Sequence, residues 1–182
     1  MRIISRWLAL VCAALASLGV QAQSHSTHES GHAHHAPAQA GHSAHSSRMF
    51  PDPASVQAPD GVSVTGCWIR ALPNRLPAAG YFSLQNSGSA DAVLVGAQSE
   101  GFGRVMLHTH ETRGGLSTMV HVDQVVVPAG GEFAFAPGGH HVMLEQADFD
   151  LVVGTRHPLV LWFEGDRALR VECDVRPPGT RH

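Results

Sequence analysis

The 182-residue sequence contains no lysine, because all twelve of its basic residues are arginine. Schiff-base chemistry, a lysine general base and a Walker-type phosphate loop all require a lysine side chain. The sequence therefore excludes these enzyme and nucleotide-binding classes. Acidic residues outnumber basic ones, giving a formal net charge of −3 at pH 7, which disfavours nucleic acid as a partner.

Long apolar runs are also missing, apart from one at the N-terminus. Arg2 and Arg6 precede an apolar stretch over residues 7–20, and residues 20–22 have the small-residue pattern of signal-peptidase cleavage. We predict a cleaved secretory signal over residues 1–22 and no membrane insertion after its removal. Loss of its two arginines changes the formal charge by two units, from −3 to −5.

Cysteine is scarce, with three copies. Cys12 lies inside the apolar run, and Val11 precedes it where a lipoprotein anchor requires a small residue, so anchoring there is disfavoured. Cys67 and Cys173 remain in a chain that enters an oxidising compartment, where disulfides persist. We favour a Cys67–Cys173 disulfide, with two separate buried thiols as the alternative.

Large apolar side chains are almost absent from residues 23–58. Such a segment cannot bury enough surface to offset its ordering entropy, so we predict a flexible, disordered arm. The arm holds half of the fourteen histidines: His25, His28, His32, His34, His35, His42 and His45. They are auxiliary candidates for Cu(II) or Zn(II), the alternative being a solvated linker that binds no metal.

Residues 59–177 have a different texture, in which short runs of Val, Leu and Phe are punctuated by Gly and Pro. This rhythm predicts an all-β domain of two packed sheets, followed by a short tail over residues 178–182. The predicted strands are 62–70, 79–85, 92–98, 104–110, 117–127, 132–136, 140–144, 159–164 and 168–176. Glycine-containing turns predict hairpin loops at 113–115, 128–131 and 137–139. Alternation points Cys173 to the core, whereas a bulge at Gly66 leaves the face of Cys67 open.

Histidine and methionine concentrate between Met106 and Met143, where three methionines and five histidines occur. The spacing is His108, ten residues, Met119, twenty-one residues, His141, one residue, Met143. On a strand, His141 and Met143 project to the same face about 7 Å apart. One hairpin could bring His108 and Met119 to the same rim. The spacing therefore predicts a four-ligand metal site.

The ligand types favour Cu(I). Thioether sulfur is soft and uncharged, whereas Zn(II) sites use thiolate, imidazole and carboxylate. The cluster has no cysteine, which disfavours a blue-copper electron-transfer centre. Four protein ligands leave no open position for a substrate, and no acid–base pair accompanies them, so an enzyme is disfavoured.

The other histidines and methionines of the domain are weaker candidates for metal binding. His110 shares a face with His108 and is an auxiliary metal candidate. Met106 is left out of the ligand set, because a methionine in a β-domain is usually core filler. The default for His121, His140 and His157 is a surface or hydrogen-bonded role.

Several stretches match a known family in the same order. They are residues 105–110 leading to Met119, residues 127–131, residues 137–144, the Trp-x-Arg-Ala stretch within residues 67–71, and Asn86 with Asp91. In this combination the sequence resembles the periplasmic copper chaperones of the PCuAC family, over most of residues 60–176. The preceding histidine-rich arm and the Cys67/Cys173 pair depart from the family pattern.

The resemblance implies a cupredoxin-like Greek-key β-sandwich and a periplasmic location. It implies Cu(I) ligands at His108, Met119, His141 and Met143. It also implies delivery of copper to cytochrome c oxidase assembly, either to the copper-binding subunit of the oxidase or to another copper chaperone. The alternative is a periplasmic copper or zinc buffer, or a resistance protein, without a dedicated partner.

Overall fold

The computed structural model describes residues 49–181, which form ten strands and one 3-10 turn at Pro53–Ser55. The strands are β1 (Val62–Arg70), β2 (Ala78–Asn86), β3 (Ala92–Gln98), β4 (Phe102–Arg113), β5 (Leu116–His121), β6 (Val125–Val127), β7 (Glu132–Phe135), β8 (His141–Ala147), β9 (Arg156–Phe163) and β10 (Arg167–Arg176). Within this part of the chain we find no helix with the length and apolarity that spanning a bilayer requires. The predicted signal and the seven arm histidines lie outside the described residues.

The strands pair in the order β5-β4-β8-β2-β1-β10-β9-β3-β6, and β7 pairs with β2. β1 pairs with β2 on one side and runs parallel to β10 on the other. It therefore joins two halves of the strand order, one with β2, β4, β5, β7 and β8 and the other with β3, β6, β9 and β10. Side chains from both halves, such as Leu107 and Val142 in one and Leu94 and Leu161 in the other, form a single buried core. The predicted all-β sandwich is confirmed.

A bulge in β1 decides which of its side chains face the core. The β1–β2 register shifts between Thr65 and Trp68, and Gly66 has a φ of +63°, a conformation that favours glycine. Because of the shift, Cys67 packs against the core. Trp68 belongs to a separate cluster on the opposite face. In the structure Cys67 forms a disulfide with Cys173, 106 residues away.

Two sequence-based predictions were wrong in detail. The predicted strand 117–127 is two strands, because β5 pairs with β4 and β6 pairs with β3 in the other half of the sandwich. Of the three predicted hairpins, only the turn at Gly114 and Gly115 joins paired neighbours. The loop at 128–131 connects β6 to β7, which pair with different strands. The loop at 137–139 connects β7 to β8, which follow one another along the same edge of β2.

The packed part of the chain begins inside the segment predicted to be an arm. The Phe50 ring stacks on Trp162, with centroids 4.8 Å apart, and Val56 packs against the same cluster. The Ala168 amide donates a hydrogen bond to the carbonyl oxygen of Gln57 at 3.1 Å. Residues 50–57 therefore cover the outer face of β9 and β10, and the packed domain extends before residue 59.

Asn86 and Asp91 of the family-like pattern have structural roles. Asn86 is 2% exposed, and its side-chain amide donates to the carbonyl oxygens of Ala90 at 2.9 Å and Val127 at 3.0 Å. An Asp91 carboxylate oxygen accepts a hydrogen bond from the Ala129 amide at 3.0 Å. Together these contacts attach the β2–β3 turn to the β6–β7 loop.

Candidate metal centre

The outer face of β4, β5 and β8 carries most of the histidine and methionine side chains of the domain. Alternation along β4 and β8 points Leu107, Val142 and Leu144 into the core. The residues between them point away from it. We call the resulting surface the donor face; it consists of Met106, His108, His110, Met119, His121, His141 and Met143.

Strand register brings these residues together across the sheet. The directly opposed pairs are His108–His141, His108–His121, His110–Met119 and Met106–Met143. Directly opposed residues share a face and have Cβ atoms about 4.5–5.5 Å apart. Residues from three separate stretches of sequence therefore become neighbours.

The four predicted ligands lie on this one surface, with His108 between the strands that carry the others. His108 Nδ1 lies 3.1 Å from Met119 Sδ. The ring centroids of His108 and His141 are 5.9 Å apart, and those of His110 and His141 are 5.2 Å apart. Met143 follows His141 by two residues, so it lies about 7 Å further along the same face of β8. Met119 already contacts His108, and Met143 is two residues from His141 on the same face of β8.

Exposure differs sharply across the donor face. His141 is 3% exposed, whereas Met119 is 45% exposed on the edge strand β5. His108 is half-buried and His110 is exposed. The face therefore has a buried inner side at β8 and an open rim at β5, where a small ion or an incoming ligand has access.

The turn before β8 determines which ring nitrogen of His141 carries the proton. Its Nδ1 lies 3.1 Å from the carbonyl oxygen of Gly139, which can only accept a hydrogen bond, so Nδ1 carries the proton. Nε2 consequently keeps its lone pair and can bind a metal. Burial lowers the pKa of His141, and the hydrogen bond to Gly139 opposes this effect only in part. The imidazole is thus neutral at pH 7.

The remaining histidines of the domain have other contacts. His140 Nδ1 lies 3.4 Å from Thr109 Oγ1, and burial lowers the pKa of His140. His157 Nε2 lies 3.1 Å from a backbone carbonyl oxygen. His121 Nε2 lies 3.2 Å from a carboxylate oxygen of Asp123. These contacts agree with the hydrogen-bonded roles that the sequence suggested.

Sequence reasoning missed two members of the donor face. Met106 lies directly opposite Met143, and His121 lies directly opposite His108. The alternation Met106, His108, His110 along a single strand was the signal for Met106. The position of His121 depends on the β4–β5 register, which the turn at residues 113–115 sets.

The donor set is soft and uncharged. In residues 49–181 no three His, Cys, Asp or Glu side chains converge closely enough to hold a metal ion. A metal site here therefore needs methionine sulfur in addition to imidazole nitrogen. Two imidazoles and two thioethers suit Cu(I), which prefers soft ligands.

Aromatic rings and arginines continue this surface across β2, β1 and β10. The Tyr81 ring lies 6.3 Å from His141 and 4.5 Å from Trp68, measured between centroids. Arg70 donates a hydrogen bond to the Tyr81 hydroxyl, and Arg176 lies over Trp68. Burial raises the pKa of Tyr81, and Arg70 opposes that shift. Trp68 and Arg70 are the first and third residues of the Trp-x-Arg-Ala stretch.

Comparison with known families finds a match over residues 62–175 to the family described as LpqE-like lipoproteins. A protein of Leifsonia xyli subsp. xyli, named as a lipoprotein, is 35% identical over 129 residues. That alignment covers 68% of this chain and 77% of the Leifsonia protein. The matched residues include β4, β5 and β8, and therefore the whole donor face.

Solved structures of PCuAC domains are similar in fold. The apo PCuAC domain of PmoF2 superposes with a TM-score of 0.55 at 25% identity, covering 67% of this chain and 94% of that domain. Its copper-bound form gives the same TM-score and identity, covering 65% and 94%. The Cu(I) form of DR1885 from Deinococcus radiodurans gives 0.54 at 28% identity, covering 71% and 86%.

Proposed function

This chain belongs to the LpqE-like lipoprotein family and has the fold of PCuAC domains, and from that premise we propose that it is a periplasmic Cu(I) metallochaperone. Its role would be to store copper and deliver it to cytochrome c oxidase assembly. The observation that carries the proposal is the convergence of His108, Met119, His141 and Met143 on one face. Two of the similar proteins, PmoF2 and DR1885, have structures with copper bound.

The ligand chemistry supports binding of Cu(I) at this face. Thioethers are unprotonated at every physiological pH, and His141 is held neutral with Nε2 available, so binding costs little deprotonation. The contact between His108 and Met119 places a nitrogen and a sulfur donor side by side before any metal arrives. Such a site binds a soft monovalent ion without a change in fold.

Delivery is supported by the position of Met119. Copper is the cargo of such a protein, so the site must release it to a partner. Because Met119 lies on the exposed edge strand, a ligand from a partner can replace its sulfur while His141 still holds the ion from the buried side. The partner would be the copper-binding subunit of cytochrome c oxidase or another copper chaperone.

The first test is a competition titration of the full chain against a Cu(I) chelator. Met119→Leu and Met143→Leu should abolish tight Cu(I) binding, because each removes one sulfur donor. Met49→Leu is the matched control, since Met49 is 95% exposed and lies outside the donor face. Unchanged affinity in both donor variants would refute the ligand assignment.

The second test separates delivery from storage. Cu(I)-loaded protein is mixed with the soluble copper domain of the oxidase subunit, and the copper content of each is measured after separation. Transfer faster than spontaneous release to a chelator supports a chaperone. Tight binding without such transfer supports the alternative, a periplasmic copper or zinc buffer or resistance protein.

Two parts of the proposal concern residues outside 49–181. The arm histidines would collect Cu(II), and replacing all seven by serine should lower the Cu(II) stoichiometry of the full chain.

Export is tested by the mass of the mature N-terminus. A chain that begins at Gln23 fits a cleaved signal. A lipid-modified chain that begins at Cys12 would instead show that the protein is a lipoprotein, as the names of its relatives state.

A further inference from the structure

Arg70 lies beside the donor face, in the stretch Trp68–Arg70 that the proposed ligand set leaves unexplained. In the sheet register Ala79 is opposite Arg70 on one side and Met143 on the other. Neighbouring strands are about 4.8 Å apart, so the backbones at Arg70 and Met143 are about 10 Å apart. Between them Ala79 contributes only a methyl group, which leaves space for the long arginine side chain.

Contacts with Tyr81 hold the guanidinium group near the metal ligands. Arg70 Nη2 donates to the Tyr81 hydroxyl, and Arg70 Cζ lies 5.1 Å from the centre of the Tyr81 ring. The same ring lies 6.3 Å from His141. The guanidinium is thus separated from His141 by one aromatic ring.

The charge of Arg70 is not balanced locally. No carboxylate of residues 49–181 lies within 4.0 Å of its guanidinium nitrogens, whereas Arg176, on the neighbouring strand, pairs with Asp174 at 3.7 Å. The four predicted ligands are uncharged, and a tyrosine hydroxyl with an ordinary pKa of about 10 is neutral at pH 7. Arg70 is therefore a positive charge without a carboxylate partner, beside ligands that are uncharged before any metal binds.

We propose that Arg70 makes the donor face selective for Cu(I) over Cu(II), as a fixed positive charge beside neutral ligands. The inference rests on the proposed copper-binding function. A nearby cation repels a divalent ion twice as strongly as a monovalent ion, so it weakens Cu(II) binding more than Cu(I) binding. A unit charge about 10 Å away, in a medium of effective dielectric constant about 20–40, changes the ratio of the two affinities about fourfold to seventeenfold.

The test measures the Cu(I) and Cu(II) dissociation constants of one set of full-length variants. All carry serine at the seven arm histidines, so that Cu(II) does not bind there. Arg70→Gln and Arg70→Met remove the positive charge, and Arg70→Met keeps an apolar stem against Tyr81. Arg70→Lys keeps the positive charge. Arg176→Gln is the matched control, because it removes a cation from the same aromatic surface at a greater distance, one strand beyond Arg70.

Both charge-removing variants should lose about fourfold to seventeenfold in Cu(I)-over-Cu(II) selectivity, mainly through tighter Cu(II) binding. A tenfold change corresponds to a 59 mV fall in the one-electron potential of bound copper. Arg70→Lys should keep the parent ratio, and Arg176→Gln should change it less than Arg70→Gln does, because Arg176 lies one strand further from the ligands. An unchanged ratio in folded Arg70→Gln and Arg70→Met, or an equal change in Arg70→Lys, would overturn the inference. Failure of the parent protein to bind Cu(I) would instead overturn the proposed function.

Discussion

The Cys67–Cys173 disulfide should contribute a large part of the stability of the domain. It links β1 to β10, which pair in parallel, and closes a loop with a sequence separation of 106 residues. In the chain-entropy model, closing a loop of that length lowers the free energy of folding by about 5 kcal/mol. Structure in the unfolded chain reduces this figure, so we expect about 3–5 kcal/mol. That is a substantial share of the roughly 5–15 kcal/mol of a typical domain.

The assay is urea unfolding of the metal-free full chain, followed by tryptophan fluorescence. Oxidised protein is compared with the reduced protein and with the Cys67→Ala/Cys173→Ala double variant. Reduction retains both sulfur atoms, whereas the double variant also removes buried volume, since Cys173 is 0% exposed. The difference between these two samples therefore isolates packing from loop closure.

Cu(I) affinity should be nearly unchanged in the double variant. Both cysteines face the core, and the donor face lies on the opposite surface of its sheet. A loss of stability below about 1 kcal/mol would refute the loop-closure argument. A fall in Cu(I) affinity matching that of Met119→Leu would show that the cysteines and the donor face are not independent.

Three further predictions concern the domain itself. Asn86→Ala should destabilise it by about 2–3 kcal/mol in urea unfolding, because it removes two hydrogen bonds, one of them to the buried carbonyl oxygen of Val127; a neutral result would contradict the role of Asn86 in attaching two loops. Phe50→Ala should cost about 1–2 kcal/mol and speed proteolysis near residue 50, because it removes the stack on Trp162; unchanged proteolysis would mean that residues 50–57 are not docked in solution. Burial lowers the pKa of His140 and His141, so the unfolded chain binds more protons than the folded one below about pH 6.5. The urea midpoint of the metal-free protein should therefore fall as the pH drops below about 6.5, and a midpoint that rises with acidification would reverse the assigned sign.

The strand pattern was largely readable from the sequence, because alternation of apolar residues is local information. β1 and β3 have the predicted bounds, and the bulge at Gly66 was anticipated from a glycine inside a strand. The break between β5 and β6, and the strand with which β7 and β8 each pair, were not predictable in this way. Residues 122–124 take the chain from partner β4 to partner β3, whereas residues 136–140 return it to the same partner, β2. The identity of a strand's partner is a property of the whole sheet.

The set of four candidate ligands was predicted from spacing and residue type alone. What spacing could not supply was the remainder of the surface. Met106, His121 and Arg70 join the ligands only through the registers β4–β8, β4–β5 and β1–β2. Arg70 is some seventy residues from Met143 in sequence, and only the shared neighbour Ala79 brings the two close.

By itself, the sequence determined the all-β class and the soft, uncharged character of the donor side chains, because these depend on composition and on the two-residue period of a strand. Tertiary structure alone decided which donors are buried, which imidazole nitrogen of His141 is left for a metal, and which cation stands beside the site. Burial, hydrogen bonding and electrostatic interaction act through space, and the pairing of distant strands sets those distances.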